Sequence, residues 1–203
     1  MNHAQLDDLL TGRIATLTLL PDGNAQSDDP PEGALLSGSF NPLHAGHLGM
    51  ADATRRTAGL PVAFELPVIN ADKGQLSADE IVRRAEQFAG RETLVLSRAP
   101  RFVDKVKLFP GRLFVLGYDT AVRLIDPRYY DGNAGLIAGL NTLRAAGCRF
   151  LVAGRMVGDH FATIDDLVLP AGYGDLFAGI PESFFRADIS STELRRRAQN
   201  SGC

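Results

Sequence analysis

The sequence predicts a single doubly wound α/β domain built on a parallel sheet. From Ala34 onward, short apolar runs alternate with helical patterns, and the runs are nearly continuous in apolar residues, as expected for strands that are covered on both faces. Connections in such a fold are right-handed, and ligands bind outside the carboxyl ends of the strands. A chain of 203 residues is long enough to bury a full core in one domain.

Each predicted element follows from a local pattern. Five short apolar runs are predicted as strands: Ala34–Ser37, Val62–Val68, Thr93–Leu96, Leu113–Leu116 and Phe150–Ala153. Helical patterns lie between and after them: Ala45–Ala58, Ala78–Phe88, Thr120–Ile125, Ala134–Ala146 and Ser191–Gln199. Glycines end the first and fourth runs, and Ser77 with Glu80 has capping-box spacing at the start of the second helix.

The first thirty residues are harder to interpret. Residues 4–20 alternate weakly and are compatible with a helix and a strand. Residues 22–33 are polar with two prolines, which is typical of a linker. We therefore expect an N-terminal extension of unknown role over residues 1–30 and a domain over residues 31–203.

Composition narrows the class of function. Hydrophobic residues make up 45% and charged residues 22%, and the net charge is -3, so there is no global basic field for nucleic acid or for an anionic membrane. No apolar stretch approaches the ~20 residues of a membrane span. Only Cys148 and Cys203 are present, too few for a disulfide framework. With no signal-peptide pattern, the expected location is the cytoplasm; a homo-oligomer is left open.

The turn after the first strand carries the motif GSFNPLHAGH, residues 38–47. Gly38 permits a tight turn and the close approach of a ligand to the backbone. His44 and His47 share one face at the start of a helix, and Gly46 between them leaves room for a bulky group. A helix N-terminus favours anions and disfavours imidazolium. We therefore expect an anion site with neutral histidines that donate hydrogen bonds.

Other interpretations of this motif are less well supported. Two surface histidines and loop-shaping glycines would explain it, but its position between a strand end and a helix start favours a ligand site. HxxH supplies only two ligands for zinc, and no third lies nearby in the sequence. The motifs GxGxxG and GxxxxGK[ST] are absent from this turn, so it is neither a dinucleotide fingerprint nor a P-loop.

Two distant motifs together resemble the nucleotidylyltransferase superfamily. GSFNPLHAGH resembles its GxFxPxHxGH signature, and ISSTELR at residues 189–195 resembles its ISSTxxR signature. NADK at residues 70–73, Gly117–Asp119 and Gly154–Arg155 are similar to segments that follow later strands in adenylyl-transferring members. The resemblance covers residues 34–197. It implies a Rossmann-like fold and a transfer of a nucleoside monophosphate from a nucleoside triphosphate.

The resemblance also implies roles for individual residues. It assigns catalysis to His44, His47 and Arg195. It assigns nucleotide binding to Gly38, Ser39, Phe40, Gly46, Gly117, Asp119, Ser190, Ser191 and Thr192. It assigns the acceptor or the phosphates to Lys73 and Arg155. No protein ligand of a metal is implied, and Mg²⁺ accompanies the triphosphate.

Local patterns allow structural roles for the same residues. Ser190 with Glu193 has capping-box spacing and would simply start a helix. Lys73 would be an exposed loop residue, and Asp119 would cap the helix from Thr120. The pair Tyr129 and Tyr130 would either line an acceptor pocket or pack.

The expected donor is ATP, because Asn41-Pro42 and the DISST segment resemble adenylyl-transferring rather than cytidylyl-transferring members. Nicotinamide or nicotinate mononucleotide is the first choice of acceptor and phosphopantetheine the second; a cytidylyltransferase, a non-catalytic nucleotide sensor and a slow ATP hydrolase are the alternatives. FELPVINADK and DISSTELR are most similar to a subgroup fused to CinA-type domains in plants. The chain departs from well-studied branches in its arginine placement after NADK and in having no tryptophan to stack on a pyridine ring.

Overall fold

The computed structural model describes residues 2–70 and 74–186. Within these ranges six α-helices form: α1 His3–Thr11, α2 Ala45–Ala58, α3 Ala78–Ala85, α4 Phe102–Lys105, α5 Tyr118–Leu124 and α6 Gly132–Ala145. Short 3-10 helices lie at Glu86–Phe88, Pro127–Tyr129, Ile164–Asp166 and Gly174–Leu176.

The described strands form one large sheet and two small hairpins. The strands are β1 Thr16–Leu19, β2 Ala25–Ser27, β3 Ala34–Ser37, β4 Val62–Pro67, β5 Ile69–Asn70, β6 Gly74–Gln75, β7 Leu94–Ser97, β8 Leu113–Gly117, β9 Arg149–Ala153, β10 Arg155–Val157, β11 His160–Ala162 and β12 Phe177–Gly179. The large sheet has the order β12-β9-β8-β3-β4-β7-β1-β2. It is parallel from β12 to β7, and β1 and β2 add an antiparallel edge.

The predicted doubly wound α/β fold is confirmed. The strands and helices predicted between residues 34 and 153 are present, and β3 and α2 have the predicted bounds. The other bounds agree within two residues, except that α3 ends at Ala85 and the rest of the helix predicted to Phe88 is a 3-10 helix. The helix predicted at Ser191–Gln199 lies outside the described residues. Strands of two or three residues, such as β12, were not predicted because they are too short to show a period.

The N-terminal segment is part of the sheet. As expected, it contains a helix, α1, and a strand, β1. The prediction of a linker over residues 22–33 is wrong for Ala25–Ser27, which pairs with β1 as an edge strand. The Asp28 carboxylate helps to fix this edge because it accepts hydrogen bonds from the backbone of Ala15 and Thr16 at 2.8 and 2.9 Å. An edge strand held by main-chain pairing needs no apolar run, so composition did not reveal it.

Two apolar layers cover the sheet. One packs α1, α2 and α3 against it, and the other packs α4, α5 and α6 against the opposite face. Successive residues of β3 alternate between the layers, with Leu35 on one side and Leu36 on the other. Full burial of one such leucine side chain stabilises the fold by about 1.5–3 kcal/mol.

The order of the strands fixes where a ligand crevice can form. From β3 the chain first proceeds to β4 and β7, and it then crosses to β8 on the other side of β3. The direction of winding therefore reverses between β3 and β8, and a crevice opens there at the carboxyl ends of the strands. Gly38 follows β3 and Gly117 ends β8, so both glycine turns lie at this point.

None of the helices in the described ranges is both long and apolar enough to cross a bilayer.

Candidate active site

The turn after β3 is held in an uncommon backbone conformation. Phe40 has φ of +45°, in the left-handed region that costs a non-glycine residue of order 1–3 kcal/mol. Its ring is fully buried and makes edge contacts with Phe64, Phe88 and His47 at centroid distances of 5.5, 5.2 and 5.1 Å. A Cβ on Gly38 would lie 2.7 Å from the Phe40 ring. Glycine at position 38 is therefore required by the packing of Phe40.

His44 and His47 form a reciprocal cap at the start of α2. His44 is the N-cap residue, and its Nδ1 accepts the backbone N–H of Gly46 at 3.1 Å. In return, the Nδ1 of His47 accepts the backbone N–H of His44 at 3.3 Å. Because Nδ1 accepts in both rings, a neutral imidazole carries its hydrogen on Nε2 in both. The helix start thus fixes the tautomer of both histidines.

The electrostatic environment keeps these histidines neutral. The two rings stack with centroids 3.8 Å apart and an interplanar angle of 26°. Burial, and then the neighbouring His44, lower the pKa of His47 from 6.5 to about 3. Burial also lowers the pKa of His44. These directions agree with the expectation of neutral hydrogen-bond donors at the helix N-terminus.

The second glycine turn lies across the crevice. Gly117 ends β8 and is the N-cap residue of α5, and a Cβ on it would meet no atom within 4 Å. Asp119, in the first turn of α5, forms an ion pair with Arg155 of β10. Both side chains are partly exposed, at 57% for Asp119 and 37% for Arg155. The structure thus brings together two residues for which the sequence motifs predicted separate roles.

Ser39 and Gly46 lie within the same loop and helix start. The Ser39 carbonyl accepts a hydrogen bond from Arg84 at 2.8 Å, and Gly46 is buried in the first turn of α2. Lys73, Ser190, Ser191, Thr192 and Arg195 lie outside the described residues. In the ranges 2–70 and 74–186, neither histidine belongs to a group of three or more residues that could hold a metal ion.

The last described residues lie against α2. A Cβ on Gly49 would be 3.2 Å from the Phe185 ring, so ring and helix are in close contact. Arg56 donates to the Phe184 carbonyl at 2.5 Å and lies 5.0 Å from the centroid of its ring. The chain that leads to the ISSTELR segment therefore passes beside the helix that carries both histidines.

Tyr130 has a packing role. Its hydroxyl donates to the Leu124 carbonyl at 2.9 Å, and burial raises its pKa. The neighbouring Tyr129 is 49% exposed.

A buried polar group near Gly38 was missed by the sequence analysis. Glu65 in β4 is fully buried, and its carboxylate accepts hydrogen bonds from Lys105 of α4 and from Ser97 of β7. The Glu65 carbonyl accepts the N–H of Gly38 at 3.0 Å. The only sequence signal was a glutamate inside the apolar run FELPV. Glu65 therefore ties the carboxyl ends of two strands to α4 beside the candidate site.

Comparisons with known proteins give a family match and several similar proteins. Residues 35–197 match the family described as cytidylyltransferase-like. A protein of Gloeobacter violaceus, named a probable nicotinate-nucleotide adenylyltransferase, is 31% identical over 183 residues that cover 80% of this chain and 82% of that protein. A protein of Dehalococcoides mccartyi with the same name is 25% identical over 193 residues, 82% of this chain and 84% of that protein. A Schizosaccharomyces pombe protein, assigned by its name to nicotinamide mononucleotide adenylyltransferases, is 29% identical over 116 residues, 49% of this chain and 45% of that protein. The likeness to the subgroup fused to CinA-type domains stays a prediction.

Proposed function

The chain belongs to the cytidylyltransferase-like family, and from this premise we propose that it transfers the adenylyl group of ATP to nicotinate or nicotinamide mononucleotide and releases pyrophosphate. The observation that carries the proposal is the reciprocal cap of His44 and His47, which presents two neutral imidazoles at a helix N-terminus beside the Gly38 turn. The names of the relatives, all adenylyltransferases of pyridine mononucleotides, support the choice of donor and acceptor.

The reaction needs no general base. A phosphate monoester has its second pKa near ~6, so the acceptor phosphate is already an anion at neutral pH. One of its oxygens attacks the α-phosphorus of ATP, the bond from that phosphorus to the bridging oxygen breaks, and pyrophosphate leaves with the electron pair. Catalysis then consists of positioning and of stabilising charge on the phosphoryl oxygens. Neutral Nε2–H donors on His44 and His47 suit this task because they do not lose a proton, and because their hydrogen bonds strengthen as negative charge develops on the phosphoryl oxygens in the transition state.

The remaining roles stay proposals. Gly117 and Asp119 would contact the nucleoside, and Ser190, Ser191 and Thr192 would donate to the β- and γ-phosphates. Arg195, Lys73 and Arg155 would supply fixed positive charge to the phosphates or the acceptor. Support for the last group comes from the overall charge of -3, because a protein with no basic excess must concentrate cations locally to bind a triphosphate. Magnesium enters as part of the substrate, the Mg²⁺–ATP complex, in which phosphate oxygens and water supply most of its ligands.

The experiment combines a substrate panel with a variant that keeps the helix cap. The purified chain is incubated with Mg²⁺ and either ATP or CTP, together with nicotinate mononucleotide, nicotinamide mononucleotide or phosphopantetheine. Pyrophosphate and the dinucleotide product are measured. We expect pyrophosphate release that depends on ATP and on a pyridine mononucleotide. Phosphate release without any acceptor would identify a hydrolase, and nucleotide binding without turnover would identify a sensor; either result would overturn the proposal.

The matched variants are His47→Gln and His3→Gln. Glutamine is a natural partner at the third position of a capping box, so His47→Gln preserves the cap but removes the imidazole. We expect its kcat to fall by about 10²–10³-fold. His3 is an exposed residue of α1, and its substitution should leave transfer unchanged. A folded His47→Gln variant with a near wild-type rate would contradict the role of His47.

A further inference from the structure

The loop between Gly38 and His44 is held from outside by α3 and the turn that follows it. Gln87, in the 3-10 helix Glu86–Phe88, donates from Nε2 to the Phe40 carbonyl at 3.0 Å. Its Oε1 accepts the backbone N–H of Leu43 at 2.8 Å. One amide therefore spans the loop from the residue with positive φ to the residue before the helix cap. Of the uncharged side chains, only the amides of glutamine and asparagine offer a rigid donor and acceptor side by side.

A buried guanidinium holds the start of the same loop. Arg84 is 8% exposed, and its Nη1 donates to the Ser39 carbonyl at 2.8 Å. Its Nε donates to the Glu80 carboxylate at 2.8 Å. Hydrogen bonds from Arg83 and then from Arg84 lower the pKa of Glu80 to about 2. Glu80 therefore stays ionised at ordinary pH and keeps the guanidinium in place.

These contacts fix the part of the main chain on which the proposed chemistry depends. Ser39, Phe40 and Leu43 are bound by side chains of one short segment, and Leu43 directly precedes the N-cap residue His44. A shift of the Leu43 N–H would move His44 and, through the reciprocal cap, His47. The contacts to Phe40 also help to stabilise its backbone in the strained left-handed conformation.

We propose that Gln87 and Arg84 are positioning residues that hold the loop between Gly38 and His44 in the conformation that binds and activates the triphosphate. The inference rests on the proposed function of that loop. It assigns α3 and the 3-10 helix Glu86–Phe88 a role in binding of the donor, whereas the helical pattern of this segment indicated only packing. Neither side chain needs to touch a substrate, because both act through main-chain groups of residues 39–43.

The test uses Gln87→Met and Gln87→Glu. Methionine has a similar length but neither strong donor nor acceptor, and it leaves the Phe40 carbonyl and the Leu43 N–H without this partner. We expect the Kd and the KM for Mg²⁺–ATP to rise about tenfold or more, with the KM for the acceptor unchanged. Kd is measured by titration calorimetry in the absence of acceptor. Unfolding is measured in parallel, so that rates refer to folded protein.

Gln87→Glu provides a signature that loss of stability alone would not give. A carboxylate at position 87 cannot donate to the Phe40 carbonyl, whereas a protonated carboxyl carries both a donor and an acceptor, as the amide does. The ratio of the variant's kcat/KM for ATP to that of wild type should therefore rise as the pH falls from 8 toward 5.5. Gln26→Glu, on the exposed edge strand β2, is the matched control and should keep a constant ratio.

The outcomes separate this inference from the proposed function. If wild type binds Mg²⁺–ATP but transfers to no acceptor, the proposed function fails, while the Kd of Gln87→Met still tests whether Gln87 positions the loop. If wild type transfers and Gln87→Met has an unchanged Kd and KM for ATP, the positioning role of Gln87 is refuted. A pH-independent ratio for Gln87→Glu, or equal losses for ATP and acceptor, would also overturn it.

Discussion

His47 links the stability of the protein to pH. Its pKa is about 3 in the folded protein and near 6.5 when exposed, chiefly because of burial and secondarily because of His44. Below pH 6.5 the unfolded chain binds a proton that the folded protein does not, so protonation favours unfolding. Almost no stability is lost at pH 7.5 and above, and the loss grows as the pH falls through 6.5 toward 3. One unit below the unfolded pKa, at pH 5.5, the loss amounts to about 1.4 kcal/mol.

The variant that tests this is His47→Gln, which keeps the cap at the start of α2 and removes the titrating imidazole. The free energy of unfolding is measured by urea titration at pH 7.5 and 5.5 for wild type, for this variant and for His3→Gln. The difference between the two pH values should be smaller in His47→Gln than in wild type by about 1.4 kcal/mol. His3 is exposed, so its removal should leave the difference as in wild type. Burial lowers the pKa of His44 too, so His44 adds to the loss of stability at low pH in all three proteins.

Equal pH dependence of unfolding in wild type and His47→Gln would contradict a lowered pKa of His47 in the folded protein. It would mean that the folded protein protonates His47 as readily as the unfolded chain does. The imidazole would then be partly cationic at pH 6–7, and a site with neutral donors would have to be abandoned. A decrease of equal size in His3→Gln would show that the effect is not specific to the buried ring.

Two further predictions concern the surroundings of the site. Gly38→Ala should destabilise the fold by about 1–3 kcal/mol, measured by denaturation, because its Cβ would overlap the buried Phe40 ring. The Cβ of Gly117→Ala would enter open space, so this variant should keep wild-type stability but bind ATP more weakly, as measured by calorimetry. Lys105→Met should cost about 3–5 kcal/mol of unfolding free energy because it leaves Glu65 buried without a cation, and Glu65→Gln added to it should recover most of that loss. Equal destabilisation by Gly38→Ala and Gly117→Ala would contradict the first prediction. A double variant that is no more stable than Lys105→Met would contradict the second.

The sequence pattern predicted the bounds of strands and helices best where a run of apolar residues or a helical period ends at a turn or a capping residue. The strand Ala34–Ser37 and the helix Ala45–Ala58 have the predicted bounds, because a β-type run ends in a glycine and a long helix starts at a side-chain cap. The prediction of an anion site at this junction rests on the same pattern. The cap itself was not predicted, since histidine is not among the preferred N-cap residues and its ring nitrogen takes the place of the usual side-chain oxygen.

The rest of the site depends on contacts between residues distant in sequence. Gln87 and Leu43 are 44 residues apart, and Lys105 and Glu65 are 40 apart. No local rule links such pairs, because the strand order of the sheet decides which segments meet. The pairing of Asp119 with Arg155 was missed for the same reason, although both residues were singled out individually. The sequence pattern therefore indicated the residues that are proposed to act on phosphate, but not the residues that hold them in place.

The geometry separates two tasks that a triphosphate site must perform. A helix N-terminus attracts anions, and the same field, together with burial, keeps His44 and His47 neutral. The histidines can therefore place donors on phosphoryl oxygens but cannot balance the charge of the triphosphate. The charge that Mg²⁺ leaves unbalanced requires permanent cations. The one assigned to the site within the described ranges, Arg155, is already paired with Asp119. If ATP binds here as proposed, it must compete with Asp119 for Arg155 or draw on cations elsewhere in the chain, which is the role proposed for Lys73 and Arg195.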